Sequence, residues 1–532
     1  MNFFLNPALA CDYYKIGHLF MQPPKMKMVY STWTARSYRH HPDCPKTVVF
    51  GYQYTLAKLV QFFSDNFFSV DLEELKYWFN EAISCSFNPR YADFSKFEAL
   101  WHHGHLPISV YGVPEGTLLP AGIPDHVIFN TNERFAWLPQ FLEDLWSSMN
   151  WLPSTSATTA YYRKKLIQPY AEKTSDVFNL ASHMCGDFSL RGHTSLEAGL
   201  ISGAGHLLSF DRTATIGSNV LLSWYYDAPL TVKRVSALGA EGGPPGMGAP
   251  SLEHSVVEQG IAWFKHRLAA GDLPEYMRPY VTKVIMDGTW ELNLIAEMCF
   301  ILYLIKEVQP TGLMTYVSDT YDYWGVVTKI LPVIKDAILE RYGCFSVRPD
   351  SGDPVQIICG DKEHNVLGTL EWLEKIFGTS LNTKGYKVLP PQIRMIYGDA
   401  ITTEITTKVC DWCEDNHFSI ENLSFGIGAY TYQYVTRDTR GYAIKATDCI
   451  HEDFGEMPIF KAPKTSPEKR SPRGCVAVLR DSKGNYTMRD GLTLEASLKY
   501  TGNIMVCKME DGQIKHHETF ETIRRRLELE EK

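Results

Sequence analysis

The stretch 313-LMTYVSD-319 sets the pattern that decides the fold, because an apolar run of strand length ends abruptly in polar residues that can do chemistry. The pattern returns three times, at 344-CFSVRPDSG-352, 393-IRMIYGD-399 and 423-LSFGIG-428. Helical patterns lie between or after these strands, at Tyr323–Arg341, Thr369–Phe377 and Thr402–Glu414. Alternating strands and helices predict βα units on a parallel sheet. Since the loops at strand C-termini build the active site in such folds, the pattern indicates an enzyme.

Composition limits the class of protein and its partners. The chain has 532 residues, of which 45% are hydrophobic and 21% charged. This length and composition predict two or three domains, or one large barrel with additions. The net charge of −9 does not favour binding to nucleic acid, so any phosphate-binding site must be locally basic. The 12 cysteines form no regular framework, and no apolar run reaches the ~18–20 residues that span a bilayer. We therefore expect a cytoplasmic protein without a nucleic-acid or membrane partner.

Strand-like patterns occur towards both ends of the chain. Strands are predicted at Met26–Ala35, Ile108–Val113, Tyr442–Ala446 and Cys475–Leu479. Helices are predicted at Asp71–Ile83, Thr158–Ala171 (in a pattern that begins at Ser154), Ser195–Leu208, Ile295–Glu307 and Phe520–Glu531. The C-terminal strands can rejoin the N-terminal ones in one discontinuous domain.

The segment Arg348–Gly352 (RPDSG) is the strongest single candidate for chemistry. Arginine offers a planar fork to a phosphate or carbonyl, and Asp350 can accept hydrogen bonds from a sugar diol. The alternative is an ordinary surface turn. Its position after a buried strand favours function. Gly398-Asp399 follows another strand in the same way, and a glycine there lets a ligand approach the backbone.

Three further features could bind phosphate or take part in catalysis. The turn Phe425–Ala429 precedes Arg437, and its backbone N–H groups could form an anion-binding nest, although close packing also explains such glycines. His254 has an acidic neighbour and could act as a base or nucleophile, although a lone histidine is more often structural. The loop 460–474 could clamp a diphosphate or could be a solvated surface loop. Its cations are Lys461, Lys464, Lys469, Arg470 and Arg473.

Three other features are interpreted as structural. The glycine- and proline-rich segment Gly239–Pro250 lacks the Lys-Ser/Thr ending of a P-loop and is predicted to be a flexible insertion. Cys410 and Cys413 form a CxxC pair, but no second pair exists and the segment has a helical pattern, so zinc is not expected. The histidines of 102-HHGH-105 have no standard ligand spacing, which favours a structural or surface role.

Taken together, these pieces resemble the nicotinamide phosphoribosyltransferases. The resemblance is collinear and covers nearly the whole chain. The residues that carry it are Cys11-Asp12-Tyr13-Tyr14-Lys15, Gly104-His105-Leu106-Pro107, Val113-Pro114-Glu115-Gly116, Asp187-Phe188-Ser189-Leu190-Arg191-Gly192, Glu253-His254-Ser255, Val317-Ser318-Asp319-Thr320-Tyr321-Asp322, Arg348-Pro349-Asp350-Ser351-Gly352, Gly398-Asp399, Thr436-Arg437-Asp438 and Lys469-Arg470-Ser471.

The resemblance implies a type II phosphoribosyltransferase fold, an irregular α/β barrel with a second α/β domain built from both chain ends. The barrel would be residues 151–437 and the second domain residues 1–150 with 438–532. The implied enzyme is a homodimer with shared active sites, to which residues 1–36 of the partner contribute. It would join nicotinamide to 5-phosphoribosyl diphosphate with Mg²⁺, giving nicotinamide mononucleotide and diphosphate in NAD salvage. ATP hydrolysis would be coupled through a phosphorylated histidine.

The resemblance also implies roles for individual residues. Phe188 and the partner's Tyr14 would sandwich the pyridine ring, with the partner's Asp12 beside it, and His254 would be the phosphorylated histidine. Asp350 would hold the ribose hydroxyls, and Arg191 and Arg348 would contact diphosphate and substrate. The remaining substrate contacts would be Ala214, Pro349, Gly398, Asp399, Gly428, Ala429 and Arg437, and the remaining diphosphate or ATP contacts would be Arg36, Lys445, Lys461 and Lys469.

One departure from the family pattern concerns the choice of base. In the segment Phe210–Thr215, Ala214 stands where the family carries an acidic residue that contacts the carboxamide. A carboxylate at this position would accept a hydrogen bond from the amide NH₂ of nicotinamide and would repel the carboxylate of nicotinate. Asp211 lies close by and is a candidate replacement. Two alternatives therefore stand beside the main prediction, a nicotinate phosphoribosyltransferase and a non-catalytic nucleotide-binding relative.

Overall fold

The computed structural model describes residues 5–231, 234–236, 239–241, 243–465 and 470–530. The helices are α1 Tyr13–Met21, α2 Tyr52–Phe63, α3 Leu72–Ser86, α4 Ser95–His103, α5 Leu138–Phe141, α6 Glu143–Thr174, α7 Leu196–His206, α8 Ile216–Tyr226, α9 His254–Ala270, α10 Arg278–Asp287, α11 Leu292–Tyr303, α12 Tyr323–Gly325, α13 Leu331–Leu339, α14 Pro354–Cys359, α15 Thr369–Phe377, α16 Thr403–Asp415, α17 Ala429–Gln433, α18 Leu494–Leu498 and α19 Phe520–Glu530. The strands are β1 Met26–Thr34, β2 Lys46–Val48, β3 Ile108–Gly112, β4 Leu118–Pro120, β5 Pro124–Asn130, β6 Cys185–Asp187, β7 Arg212–Thr213, β8 Arg234–Ser236, β9 Gly239–Glu241, β10 Met314–Val317, β11 Phe345–Arg348, β12 Gly360–Asp361, β13 Val366–Leu367, β14 Ser380–Leu381, β15 Lys387–Val388, β16 Ile393–Tyr397, β17 Leu423–Ile427, β18 Ala443–His451, β19 Gly455–Pro458, β20 Cys475–Arg480, β21 Tyr486–Leu492, β22 Val506–Glu510 and β23 Gln513–Ile514.

The centre of the fold is a curled parallel sheet with the order β10-β11-β16-β17-β6-β7. All of its strand pairs are parallel. The four strands predicted from the polar-ended apolar runs are β10, β11, β16 and β17, and they are neighbours in that order. The predicted α/β barrel is therefore confirmed, with the C-terminal ends of its strands on one rim.

The segment 247–251 closes the gap between β7 and β10. Met247 bridges Arg212, and Ser251 bridges Thr315, both in parallel. The expectation of a flexible insertion at Gly239–Pro250 does not hold for residues 247–250, which form part of the barrel wall, and Gly242 lies outside the described residues. The glycines of this segment serve close packing: a Cβ on Gly246 would lie 2.6 Å from the Thr213 side chain.

Helices cover the outside of the barrel and bury its apolar strands. α15 shows why the sequence folds this way, because Leu370, Leu373 and Phe377 recur at helical spacing and are all buried. Its first turn is held by the Gly368 N–H, which donates to Glu371 Oε2 at 3.0 Å. Each buried leucine contributes about 2 kcal/mol relative to exposure.

A second sheet draws its strands from both ends of the chain. Its order is β19-β18-β1-β5-β3-β22-β23, and its strand pairs are antiparallel. β1 from the N-terminal region pairs β18 over eight residue partners, which ties the two chain ends together. The domain division at residue 150 stays a prediction. Helix α6 runs across that point, and begins at Glu143 rather than at the predicted Ser154. No helix of the described ranges combines the length and apolarity needed to cross a bilayer.

Candidate active site

The loops after the parallel strands gather several predicted site residues on one rim. Phe188 follows β6, Arg348 ends β11, and Gly398-Asp399 follows β16. Of these residues, Phe188 lines a cavity of about 490 Å³ inside the barrel, whereas Arg348, Gly398 and Asp399 are not part of its lining. Its lining includes Phe188, Arg212, Ala214, Met247, Ser251 and Arg394.

The Phe188 ring lies against two glycines of the barrel. A Cβ on Gly186 would lie 3.2 Å from the ring, and one on Gly426 would lie 3.3 Å from it. Behind the ring, the buried Asp187 carboxylate accepts hydrogen bonds from the Ser189 N–H at 2.9 Å and the Thr215 hydroxyl at 3.0 Å. These contacts fix the loop, so the aromatic face at the cavity is preorganised for a flat ligand.

Arg348 holds a guanidinium beside the cavity. Its Nη1 donates to Ser251 Oγ at 3.0 Å, and its Nη2 lies 3.6 Å from Asp350 Oδ2. Its Nε is buried and has no hydrogen-bond partner among the described residues. An arginine with an unused donor in a concave site is suited to an anionic oxygen. Pro349, the next residue, is buried.

Carboxylates cluster next to Arg348. Asp319 Oδ2 accepts from the Asp350 N–H at 2.9 Å and the Ser351 hydroxyl at 2.6 Å. Asp319 Oδ1 is buried and makes no hydrogen bond to any described residue. Burial raises the pKa of the Tyr397 hydroxyl, and nearby Asp399, Asp319 and Asp350 raise it further. An orphaned carboxylate oxygen in an acidic rim is the kind of hard donor that Mg²⁺ takes, so the residues fit this ion.

His254 is the first residue of α9 and belongs to the same rim. Its Nδ1 lies 3.1 Å from Thr320 Oγ1, and its Nε2 lies 4.0 Å from Asp319 Oδ1. The sequence interpretation left open whether this histidine is structural. It is half-exposed, with 44% of its side chain accessible, so it can meet a ligand.

The glycine-bearing turn after β17 reaches the rim through Ala429. A Cβ on Gly192 would lie 2.3 Å from Ala429 Cβ, so glycine at 192 leaves room for the alanine methyl group. Gly428 has open space around it. Arg191 is exposed in the turn beside Gly192. Arg437 is also exposed, with its Nη2 3.0 Å from Asp438 Oδ1.

The remaining predicted cations form a separate basic cluster on the antiparallel sheet. Burial lowers the pKa of the Lys445 ammonium, and the charges of Arg36 and Lys461 lower it further. Arg36 and Lys445 line a small cleft with Arg470. Clustered cations with depressed pKa values are suited to a polyanion. Lys469 lies outside the described residues.

Asp12 and Tyr14 lie near this basic cluster and do not line the barrel cavity. The Asp12 N–H donates to Asp144 Oδ2 at 2.9 Å, and the Tyr14 hydroxyl donates to Asp144 Oδ1 at 3.3 Å. Partial burial, together with carboxylates that include Asp144, raises the pKa of Tyr14 to about 12. Half of the Tyr14 side chain is exposed. Within one chain, these two residues do not meet Phe188 at the cavity.

Several contacts of the site escape sequence reasoning. Ser251 and Arg212 are not among the site residues predicted from the sequence. The contact of Thr320 with His254 is not predicted either, because the two residues are distant in the chain. Asp211 does not replace the acidic residue missing at Ala214, because its carboxylate pairs with His183 and it is not part of the cavity lining.

Comparison with known proteins agrees with this arrangement. The model of the nicotinate phosphoribosyltransferase family matches residues 183–520. The chain belongs to this family. A nicotinamide phosphoribosyltransferase of Acinetobacter baylyi is 32% identical over 99% of this chain and 98% of its own. One of Mycoplasma pneumoniae is 28% identical over 89% of this chain and 96% of its own.

Two solved structures of low sequence identity share the fold. Human nicotinic acid phosphoribosyltransferase matches with a TM-score of 0.53 and 15% identity, over 98% of this chain and 93% of its own. The nicotinate-nucleotide pyrophosphorylase of Pyrococcus furiosus matches with a TM-score of 0.52 and 13% identity, over 99% and 97%. The family's fold thus extends over nearly the whole chain.

Proposed function

We propose that this chain is a nicotinamide phosphoribosyltransferase of NAD salvage. It would transfer the phosphoribosyl group of 5-phosphoribosyl diphosphate to the ring nitrogen of nicotinamide, releasing diphosphate. The observation that carries the proposal is one rim that combines an aromatic face at Phe188, a guanidinium at Arg348 and a carboxylate at Asp350. A Cβ on Gly426 would meet both the Phe188 ring and Gly398, and a Cβ on Gly398 would lie 3.5 Å from Asp350 Oδ1, whose Oδ2 lies 3.6 Å from Arg348 Nη2. A pyridine, a phosphate and a ribose diol need these three groups. The two bacterial relatives bear the same name.

The chemistry requires positioning and charge stabilisation. Displacement at ribose C1 passes through a cation-like sugar, so no protein nucleophile is needed. Phe188 would hold the ring flat for attack, and Asp350 would fix the ribose hydroxyls. Gly398, Asp399, Gly428, Ala429 and Arg437 would line the nucleotide's ribose-phosphate.

Negative charge leaves with the diphosphate. Arg348 and Arg191 would bind it at the rim, and Mg²⁺, when bound at Asp319 and its neighbours, would supply further positive charge. Arg36, Lys445, Lys461 and Lys469 would neutralise diphosphate or ATP phosphates.

His254 would couple ATP to the reaction. The γ-phosphoryl group of ATP would move to an imidazole nitrogen as the bond to ADP breaks, and water would later cleave the phosphoramidate. Thr320 next to Nδ1 orients the ring. Asp319 Oδ1 lies 4.0 Å from Nε2 on the other side of the ring.

The active site would be shared between two subunits of a homodimer. Tyr14 and Asp12 lie outside the cavity of their own chain, and Tyr14 is half-exposed. In a dimer, the partner's Tyr14 would close the second face of the pyridine ring on Phe188.

A nicotinate phosphoribosyltransferase is the second candidate. Ala214 leaves the cavity without the carboxylate that would repel an anionic base. Arg212, two residues earlier in the chain, lines the same cavity with a positive charge. Both residues favour a carboxylate substituent on the ring.

Product analysis separates these candidates. The full chain is incubated with 5-phosphoribosyl diphosphate and Mg²⁺, with nicotinamide or nicotinate, each with and without ATP. Nicotinamide mononucleotide that increases with ATP supports the proposal. Product from nicotinate alone supports the second candidate. Release of neither product rejects both and favours a non-catalytic nucleotide-binding relative.

A further inference from the structure

Three metal-ligating side chains converge on the antiparallel sheet, apart from the barrel rim. His103 is the last residue of α4, and Gly104 follows in the left-handed conformation at φ 82°. This turn folds His105 back beside His103, with the two ring centroids 4.3 Å apart. The chain reversal places two imidazoles side by side.

The third side chain comes from the opposite end of the chain. Asp511 lies in the tight turn between β22 and β23 at φ 48°, followed by Gly512 at φ 75°. The turn is pressed onto the segment after α4, because a Cβ on Gly512 would lie 2.5 Å from the Leu106 carbonyl oxygen. The Gly512 N–H donates to the Ile108 carbonyl at 3.0 Å. The Asp511 carboxylate is therefore held in place before any ligand binds.

The ligand atoms are close together and incompletely used. One atom from each of His103, His105 and Asp511 lies within 4.8 Å of the others. The Nε2 atoms of both histidines are buried, and neither forms a hydrogen bond to a described residue. His105 Nε2 lies 3.2 Å from Asp511 Oδ2. Thr131 donates its hydroxyl to the other carboxylate oxygen and orients the group.

We propose that His103, His105 and Asp511 form a binding site for a divalent transition metal of the zinc class. Two imidazole nitrogens and one carboxylate oxygen match zinc better than magnesium, which prefers oxygen ligands. Water would complete the coordination. The bound ion would clamp the C-terminal hairpin to the end of α4, joining segments about 400 residues apart in the sequence. The site is independent of the proposed catalytic activity.

Zinc titration of the full chain tests the proposal. The protein is stripped with a chelator, dialysed, and titrated calorimetrically with ZnCl₂ and separately with MgCl₂. Asp511→Asn is the main variant, because asparagine keeps an oxygen for Thr131 and tolerates the left-handed conformation. His102→Ala is the matched control, since it removes the exposed neighbouring histidine outside the cluster.

The expected result is a high-affinity zinc site that Asp511→Asn and His103→Gln weaken by about tenfold or more and His102→Ala leaves unchanged. Zinc should also raise the thermal midpoint of the wild type more than that of Asp511→Asn. Magnesium should not compete. Equal zinc isotherms for wild type and Asp511→Asn would overturn the proposal. If His103→Gln does not fold, Asp511→Asn still decides the question.

Discussion

At the residue scale, Phe188 lines the barrel cavity and would give the proposed base site its aromatic face. We expect Phe188→Ala to raise the KM for the base by about tenfold or more, because one stacking face contributes about 1–3 kcal/mol. The KM for 5-phosphoribosyl diphosphate should change little. Phe188→Tyr keeps the ring and should retain most of the affinity for the base. Steady-state kinetics with each substrate varied in turn measures both effects, and an unchanged KM for the base in Phe188→Ala would contradict the assigned role.

In the proposed reaction, Ala214 would influence which ring substituent the cavity tolerates. Ala214→Asp should raise the ratio of kcat/KM for nicotinamide over nicotinate by about tenfold or more, which corresponds to about 1.4 kcal/mol. The new carboxylate would accept a hydrogen bond from the amide of nicotinamide and would repel the carboxylate of nicotinate. Ala214→Asn has the same size without the charge and should shift the ratio less. Equal ratios in the aspartate and asparagine variants would show that charge at this position does not select the base.

His254 affects only the ATP-dependent part of the proposed reaction. His254→Asn should abolish the stimulation of product formation by ATP and the formation of acid-labile phosphoprotein. Phosphoribosyl transfer without ATP should continue. Labelling with γ-phosphate-labelled ATP, followed by acid treatment, measures the phosphohistidine directly. Label retained in His254→Asn would assign the phosphoryl group to another residue.

Short-range patterns predicted only some of these contacts. Arg348 and Asp350 could be identified because both follow one recognisable strand. The bond from Arg348 to Ser251 and the anchoring of Asp350 by Asp319 could not, since each joins residues that only the folded barrel brings together. The cluster of Asp511 with two histidines was missed for the same reason.

At the element scale, glycines set the distance between the β16 and β17 loops. A Cβ on Gly426 would lie 2.9 Å from Gly398 Cα and 3.3 Å from the Phe188 ring. Gly426→Ala should therefore destabilise the fold by about 1–3 kcal/mol and raise the KM for the base. Gly17→Ala is the control, because its Cβ would meet only the end of the Met21 side chain, at 3.7 Å. Denaturant unfolding with both variants checks this, and equal stability would contradict the packing argument.

Helix α11 carries a buried acid that should make stability depend on pH. Burial raises the pKa of Glu297 to about 7, and the Tyr316 hydroxyl donates to its Oε1 at 3.0 Å. The folded state binds this proton more tightly than the unfolded chain does, because the pKa of the carboxyl in the unfolded chain is 4.5. The carboxyl's contribution is therefore fully present below pH 4.5 and is lost as pH rises through 7, by about 3 kcal/mol.

Glu297→Gln should remove this pH dependence. The free energy of unfolding of the variant minus that of wild type should be larger at pH 8 than at pH 5. Urea unfolding at the two pH values measures the difference, with the exposed Glu363→Gln as the control. Parallel pH profiles for wild type and Glu297→Gln would show that the carboxyl keeps its ordinary pKa.

Regular periodicity explains which elements were predictable. The helix Thr369–Phe377 and the strand Ile393–Tyr397 have the predicted bounds, because each has an unbroken apolar pattern. The barrel segment 247–251 has no such pattern, since glycine and proline mask its extended conformation. Helix α6 begins at Glu143, before its predicted start at Ser154. Tertiary packing supports its first turns, which have no clear helical pattern in the sequence.

At the scale of the whole molecule, the proposed dimer makes a specific prediction about mixed subunits. Tyr14→Ala and Phe188→Ala should each lower activity, because each removes one face of the pyridine sandwich. Equal mixing with subunit exchange should restore about a quarter of wild-type activity, since half of the dimers would be mixed and each would have one intact site. Activity of the mixture equal to the mean of the two variants would indicate that each subunit works alone.

A crystal structure with nicotinamide mononucleotide, diphosphate and Mg²⁺ would show whether a pyridine mononucleotide binds at the rim of the barrel. We predict that the pyridine ring stacks on Phe188, the ribose hydroxyls meet Asp350, and the nucleotide phosphate lies near Ala429 and Arg437. Diphosphate should contact Arg348 or Arg191. A nucleotide bound elsewhere, with the rim empty at saturating concentration, would contradict the account.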